Sequence, residues 1–339
     1  MNKVKVGMVG LQYGNVLINE LLSPENNQNF EITAVCDLRR DKADIFAERL
    51  GVKGYYDMEE MLAGSPMDAV VIITEPTGRA NLIRKAIRAG KHVMTTKPFE
   101  ADPEEAISVL LEARQLGKVV HLNSPSPLLT GDLQVIKDWQ ETCNLGRPIG
   151  CQCSVRANYR EVPDGRWLDD PEQCPAAPVY RLGIYLINDL VRLLGEAESV
   201  TVMQSRIFTQ RPTSDNAQLG ISFKNGAMAQ IFASFCVNDG HPYNNTLILS
   251  YENGTISRNI LPGAPDIASL SLVRLEGDKA VIETKEADSR SGIYQWDAFH
   301  RAINGEKLDN ETTPQEIHEG VKIINAMARA GKSGRVEMV

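Results

Sequence analysis

Two short stretches hold the residue types that proton transfer at a hydroxyl requires. In GKHVMTTKPF (90–99), Lys97 ends an apolar run and is followed by Pro98. A lysine cation at the edge of a sheet can orient a substrate hydroxyl and stabilise a developing alkoxide. The proline narrows the backbone choices of Lys97 and so fixes its aim. An ordinary surface lysine fits the same motif. In RLGIYLINDLVRLLG (181–195), Tyr185 and Asn188 stand three apart, which puts them on one helical face. Ile184, Ile187, Leu190, Val191 and Leu194 form the apolar side of that helix. The polar pair either faces a cleft or leaves the tyrosine hydroxyl at the domain surface, which is the commoner arrangement.

A third stretch bears on a cofactor. VKVGMVGLQYGN (4–15) rises as a strand and reaches Gly10, where a dinucleotide-binding turn would begin. The G-x-G-x-x-G fingerprint then calls for glycine at 12 and glycine or alanine at 15, and finds Gln12 and Asn15 with a displaced Gly14. Gly10 still allows the sharp turn. The Gln12 side chain holds the backbone farther from a pyrophosphate, but its amide can donate to one. Gly10, Gln12 and Tyr13 are therefore candidate cofactor contacts, and a ligand-free strand-turn-helix reads the loop equally well. Asp37, in AVCDLRR, lies twenty-seven residues after Gly10, where a carboxylate accepts from the adenosine ribose and repels a 2′-phosphate. NAD is favoured over NADP on that ground. Arg39 and Arg40 oppose this, since either can grip a phosphate or stack on adenine, and Asp37 can also serve as a helix N-cap. In ITEPTGRAN (73–81), Thr74, Glu75 and Pro76 fall at the carboxyl edge of the sheet, where such ligands bind. The other reading of that stretch is a helix entry capped by Thr77.

The elements that must carry these residues change character near residue 124. Up to residue 123, strand-like runs (VKVGMV, EITAVC, DAVVIIT, HVMTT, VVHLN) alternate with helical ones. Ala80, Ile83 and Ile87 share one helical face, and the strands are apolar on both faces, as in a covered parallel sheet. Residues 1–123 thus read as a doubly wound, Rossmann-like α/β domain. SPSPLLTGD (124–132) reads as a hinge. Residues 124–339 read as an α+β domain with an open, mainly antiparallel sheet, Asn-Gly hairpin turns at 225–226 and 253–254, and closing helices within 294–331.

Composition sets limits. The chain has 339 residues and a formal net charge of −8, which argues against a general nucleic-acid surface. No apolar run is long enough to cross a bilayer, and the opening lacks the apolar core of an export signal. The six cysteines show no metal spacing, so no metal is expected and a reducing cytoplasm fits. His121 is the imidazole nearest the expected cleft, while His92 starts a buried strand and reads as structural. The apolar alternation of AMAQIFASFC and TLILSY predicts a homo-oligomer.

Taken together, K-P after a strand and G-x-Y-x-x-N opening a helix in a sheet domain resemble the glucose-fructose oxidoreductase, inositol dehydrogenase and rhizopine catabolism family, Gfo/Idh/MocA. The likeness runs from about Lys3 to the closing helices and is strongest in AGKHVMTTKPF (89–99) and GIYLINDLVRLLG (183–195). It implies NAD(P)-dependent oxidation of a sugar or polyol hydroxyl. Lys97 and Pro98 would stand near the nicotinamide, and Tyr185 would accept the hydroxyl proton, as in the tyrosine branch of the family. Tyr159, Arg166, Trp167, Arg181, Tyr185, Asn188 and Lys97 would meet the substrate, although the aromatics and arginines of 155–181 suit any polar surface loop as well. Pairing through the sheet would give a homodimer or homotetramer. Thr96 replaces the family's motif glutamate, Ala80 stands near a usual histidine, and Arg181 occupies the place of a usual aspartate. Two alternatives stand beside this reading: a nucleotide-binding sensor or scaffold without turnover, which accommodates the altered glycine loop and Thr96, and an NAD-dependent glycoside hydrolase of the same fold.

Overall fold

The computed structural model describes residues 3–241, 243–261, 263–290 and 292–339, which group into two compact units. The first comprises residues up to Leu128 together with Tyr294–Pro314; the second comprises Leu129–Ile293 and Gln315–Val339. Segment 294–314, expected in the second domain, therefore belongs with the first.

The first unit follows β1 (Val4–Val9), α1 (Leu11–Leu21), β2 (Phe30–Cys36), α2 (Arg40–Leu50), β3 (Lys53–Tyr55), α3 (Met58–Gly64), β4 (Ala69–Ile72), α4 (Arg79–Arg88), β5 (His92–Thr95), α5 (Pro103–Gln115) and β6 (Val120–Leu122). The described strands form a six-stranded parallel sheet ordered β3-β2-β1-β4-β5-β6. The order reverses between β1 and β4, which opens a crevice at their carboxyl ends. All four β4 residues are buried, as a sheet covered on both faces requires. On α4 the buried apolar residues are Ala80, Ile83, Ala86 and Ile87, the stripe expected from the sequence. β3 and α3 escaped the sequence reading because a three-residue strand and a seven-residue helix are too short to show a period.

The returning segment carries α8 (Trp296–Ile303). Trp296 meets the edge of Phe30 at 5.6 Å between ring centroids, Phe299 stacks on Phe30 at 6.4 Å, and both join the core with Met8, Leu17 and Ile18. The Trp296 indole donates to Glu20 at 2.9 Å. Burying each such ring contributes roughly 1.5–3 kcal/mol, so this short segment is part of the first core.

The second unit contains α6 (Gly131–Thr142), β7 (Pro148–Ala157), α7 (Ile184–Leu194), β8 (Ala197–Ser205), β9 (Asn216–Phe223), β10 (Met228–Ser234), β11 (Tyr243–Tyr251), β12 (Gly254–Leu261), β13 (Ala264–Glu276), β14 (Lys279–Asp288), α9 (Pro314–Ser333) and β15 (Glu337–Met338). The described strands form one sheet ordered β14-β13-β12-β11-β7-β10-β9-β8-β15. Every pair in it is antiparallel except β7 with β10. Asn225–Gly226 and Asn253–Gly254 join β9 to β10 and β11 to β12, as expected of hairpins. α6, α7 and α9 cover one face with Ile136, Trp139, Ile187, Leu190, Ile323 and Met327. The opposite face alternates outward: on β10, Ala229, Ile231 and Ala233 are buried while Met228 and Phe232 are exposed.

Beneath α7 lies a fully buried cation. Arg258 of β12 reaches Asp132 at 2.9 Å and Asp189 at 3.5 Å, and also donates to Asn245. Ser289 and the Leu133 N–H donate to the Asp132 carboxylate at 2.6 and 2.8 Å. One guanidinium faces two carboxylates, and burial, with Asp132 adding to it against the pull of Arg258, raises Asp189 to about 7.

Candidate active site

On the first unit, the turn after β1 is built around Gly10. Its φ is +84°, and a Cβ there would run into the Ile73 carbonyl, so only glycine fits. Asp37 binds this turn directly: one carboxylate oxygen accepts the Leu11 N–H at 2.9 Å and the other accepts the Arg39 N–H at 3.0 Å. It caps the start of α1 from the end of β2, while α2 begins without a side-chain cap. The first turn of α1 carries no acidic residue of its own, and the carboxylate that meets its positive end comes from Asp37. These features fit a dinucleotide: Gly10 and the start of α1 for the pyrophosphate, Asp37 for the ribose.

The side chains that break the glycine fingerprint have a local use. Lys42 donates to Gln12 at 2.5 Å, and Arg49 donates to Asn15 at 2.7 Å and Asn19 at 2.6 Å, tying α1 to α2. Gly14 lies inside α1 with open space where a Cβ would go, so the extra freedom of glycine is not used there. Tyr13 is exposed. Arg39 pairs with Asp41 at 2.7 Å, and Arg40 lies over the Tyr56 ring at 4.5 Å.

After β4, Thr74 is half-buried, Glu75 exposed and Pro76 buried. Thr77 does not cap α4. That place falls to Gly78, and the buried Glu100 carboxylate accepts the Gly78 and Ala80 N–H groups at 3.1 and 2.7 Å. After β5, Asn123 accepts the Lys97 N–H at 3.0 Å and the Thr96 hydroxyl at 3.3 Å. Asn123 is buried, so the backbone of Lys97 is held from below while its side chain is half-buried. His121 of β6 meets Glu311 at 2.7 Å and packs on Phe299. His92 accepts the Val119 N–H at 3.1 Å, and burial pushes its pKa down to about 4, which keeps it neutral.

On the second unit, a wider π-type turn at Val179–Gly183 leads into α7. Tyr185 is half-buried and Asn188 buried. Each abuts a glycine from another segment: a Cβ on Gly292 would collide with the Tyr185 ring, and one on Gly320 of α9 with the Asn188 carbonyl oxygen. The loop expected to touch substrate is knit to itself. Arg181 grips Glu161 through both terminal nitrogens, at 2.6 and 2.9 Å, and lies over the Tyr159 and Phe235 rings. Arg166 pairs with Asp164. Arg211, which is buried, binds Glu161, Asp164 and Asp169. Arg166 and Arg211 hold the Asp164 carboxyl well below the usual carboxylate range. Trp167 meets Tyr180 edge-on at 6.2 Å. Arg166 and Arg181 thus have carboxylate partners in the protein itself. Sequence reasoning missed Asn123, Glu100, Arg211, Gly292 and Gly320. Only Gly320 left a trace, as a glycine inside a helical pattern. Among the described residues, no cluster of three His, Cys, Asp or Glu side chains could hold a metal ion.

A parallel sheet with a β1–β4 crevice, a glycine-only turn and a strand-end carboxylate suits a dinucleotide-binding domain. Comparison with known proteins agrees. Residues 4–124 match the family model described as an oxidoreductase family with NAD-binding Rossmann fold, and residues 133–257 match the GFO/IDH/MocA C-terminal domain. Galactose 1-dehydrogenase of Pseudomonas fluorescens is 33% identical over 249 residues, 71% of this chain and 73% of that protein. An uncharacterized oxidoreductase of Schizosaccharomyces pombe is 30% identical over 177 residues, and the match spans 51% of this chain and 47% of that one. In fold, the WlbA dehydrogenase of Bordetella pertussis, solved with NADH and UDP-GlcNAcA, superposes with a TM-score of 0.74 at 17% identity, covering 100% of this chain and 99% of that one. The chain belongs to the Gfo/Idh/MocA family of NAD-binding oxidoreductases.

Proposed function

We propose that the chain moves hydride between NAD(H) and a hydroxyl or carbonyl of a sugar, polyol or related compound, with Lys97 and Tyr185 handling the proton. Bound nicotinamide supplies the hydride acceptor. Tyr185 takes the hydroxyl proton as the carbon–hydrogen bond is lost, and returns it in the reverse direction. Lys97 carries the positive charge that steadies the alkoxide and lowers the cost of a phenolate, since an unassisted phenol near pKa ~10 is a poor base at neutral pH. Support comes above all from Tyr185: a helix-borne phenol beside a backbone kept bare by Gly292. The name of the galactose dehydrogenase relative adds to the case for a carbohydrate. Thr74, Glu75, Pro76 and Pro98 would line the nicotinamide side, and Tyr159, Trp167 and the Arg181–Glu161 pair would form a polar, aromatic wall for the sugar. NAD is preferred to NADP, because Asp37 stands at the ribose position and Arg39 and Arg40 are engaged with Asp41 and Tyr56.

The test is a panel of aldoses, inositols and sugar acids with NAD, followed by Tyr185→Phe on whichever substrate turns over. The variant is expected to lose kcat by a factor of ~10²–10⁴; retention of most of kcat ends this mechanism. Lys97→Met is expected to lose a similar factor and to shift the remaining activity to higher pH. Six free thiols suit a reducing compartment such as the cytoplasm. The outer face of the second sheet, with Met203, Met228, Phe232, Val273, Leu275 and Ile282 exposed, suits pairing with a second copy of the chain.

A further inference from the structure

Two buried, charged side chains lace the turn after β4 to the segment after β5. Arg79, in the first turn of α4, is 1% exposed, and its guanidinium is directed at main-chain carbonyls. It donates to Thr96 at 2.7 Å, to Phe99 at 3.1 Å, and to Pro98 and Thr74. Glu100 works in the opposite sense. It is 2% exposed, and its carboxylate accepts the N–H groups of Gly78 at 3.1 Å and of Ala80 and Ala101 at 2.7 Å. A cation from the β4 side holds carbonyls of the β5 side, and an anion from the β5 side holds N–H groups of the β4 side. Burying either charge is costly unless its hydrogen bonds are made. The acceptors that stabilise Arg79 are therefore held in place by it.

The joined segments leave the carboxyl ends of adjacent strands, where ligands of open α/β sheets bind. One carries Thr74–Thr77 and the other Thr96–Pro98. We propose that Arg79, with Glu100 as its counterpart, is a positioning residue for the nicotinamide ring of the cofactor: it sets the spacing of these two segments and the stance of Lys97 within the second. This rests on the cofactor placement proposed above. The adenosine half rests on Gly10, Leu11 and Asp37, which have hydrogen bonds of their own. Disturbing Arg79 should therefore weaken the hold on the nicotinamide ring alone.

Titration calorimetry on the full chain, comparing NADH with ADP-ribose, isolates the contribution of the nicotinamide ring. Wild type is expected to bind NADH more tightly, because ADP-ribose lacks the nicotinamide. Arg79→Lys keeps the charge and loses the planar fork. It is expected to weaken NADH about tenfold, the scale of one charge-assisted hydrogen bond, with ADP-ribose unchanged to within about twofold. Should that variant fail to fold, Glu100→Gln disturbs the same seam with little change of size and is expected to show the same selective loss. Parallel losses for both ligands, or unchanged NADH affinity in a folded variant, overturn the proposal and leave Arg79 a packing residue. A wild type that binds the two ligands equally overturns the cofactor placement itself, and with it the role built on that placement.

Discussion

Asp37 has a structural task in the fold, and the proposed function gives it a second one. Its two oxygens hold the Leu11 and Arg39 N–H groups, and each oxygen retains a second lone pair for a ribose hydroxyl. Asp37→Ala is expected to weaken NAD by about tenfold or more and to narrow the preference over NADP, measured by titration of both nucleotides. Unchanged affinities would place the ribose elsewhere. Asp189 poses a different test. Its folded pKa, about 7, lies above that of an unfolded aspartate near ~3.9, because burial and Asp132 outweigh Arg258. Between those values the folded chain keeps a proton that the unfolded chain has released, so this group lowers stability as pH rises through the window. His92, depressed to about 4, acts with the opposite sign over its own window. Asp189→Asn isolates the first effect: relative to wild type, its melting temperature should climb from pH 5 to about pH 7 and level off above it. A constant difference would mean that Arg258 keeps Asp189 ionised throughout. Asp37, Lys97 and Tyr185 were visible in the sequence as candidates because motif spacing marks them. Arg79, Asn123 and Arg258 were not, because their partners are main-chain atoms or distant side chains that no local pattern joins.

Helices α1 and α9 contain glycines with opposite roles. Gly14 has helical geometry and open space at its Cβ position, so Gly14→Ala is expected to stabilise the fold by about 0.5–1 kcal/mol through helix propensity. Gly320→Ala gains the same propensity but drives a methyl against Asn188, and overpacking of that kind costs about 1–3 kcal/mol. Thermal melts of the two variants should therefore move in opposite directions. If Gly320→Ala also melts higher, Asn188 has room to move and its position is not fixed by α9. At this scale the sequence was read well where periods are long. The parallel strands, the α4 stripe and both Asn-Gly hairpins stand where they were expected. The cap at Thr77 that the other reading of that stretch offers does not form, because a carboxylate twenty-three residues on, at Glu100, satisfies the α4 N-terminus instead. Local sequence rules cannot see a cap delivered across the sheet.

The second sheet has helices on one face and an outer face studded with exposed apolar side chains. A dimer or tetramer mass is expected in light scattering at micromolar concentration, and Phe232→Lys, at a solvent-facing position of β10, is expected to shift that mass toward the monomer without lowering the melting temperature of the separated chain. A monomeric wild type would contradict this. The sequence showed where the texture of the chain changes, but not that Tyr294–Pro314 returns to the first unit, because nothing in a helix's own pattern says which core it enters. That return has a consequence for gene dissection. A fragment ending at Leu128 would carry every strand of the nucleotide-binding sheet yet lack Trp296 and Phe299, leaving Phe30 and its neighbours uncovered. Such a fragment should be recovered as aggregate, and a linker that appends 294–314 should restore solubility. Recombination that borrows this half of the gene for a new substrate sheet must therefore cut in two places, so that what is inherited as one working part is written in the DNA as two separate passages.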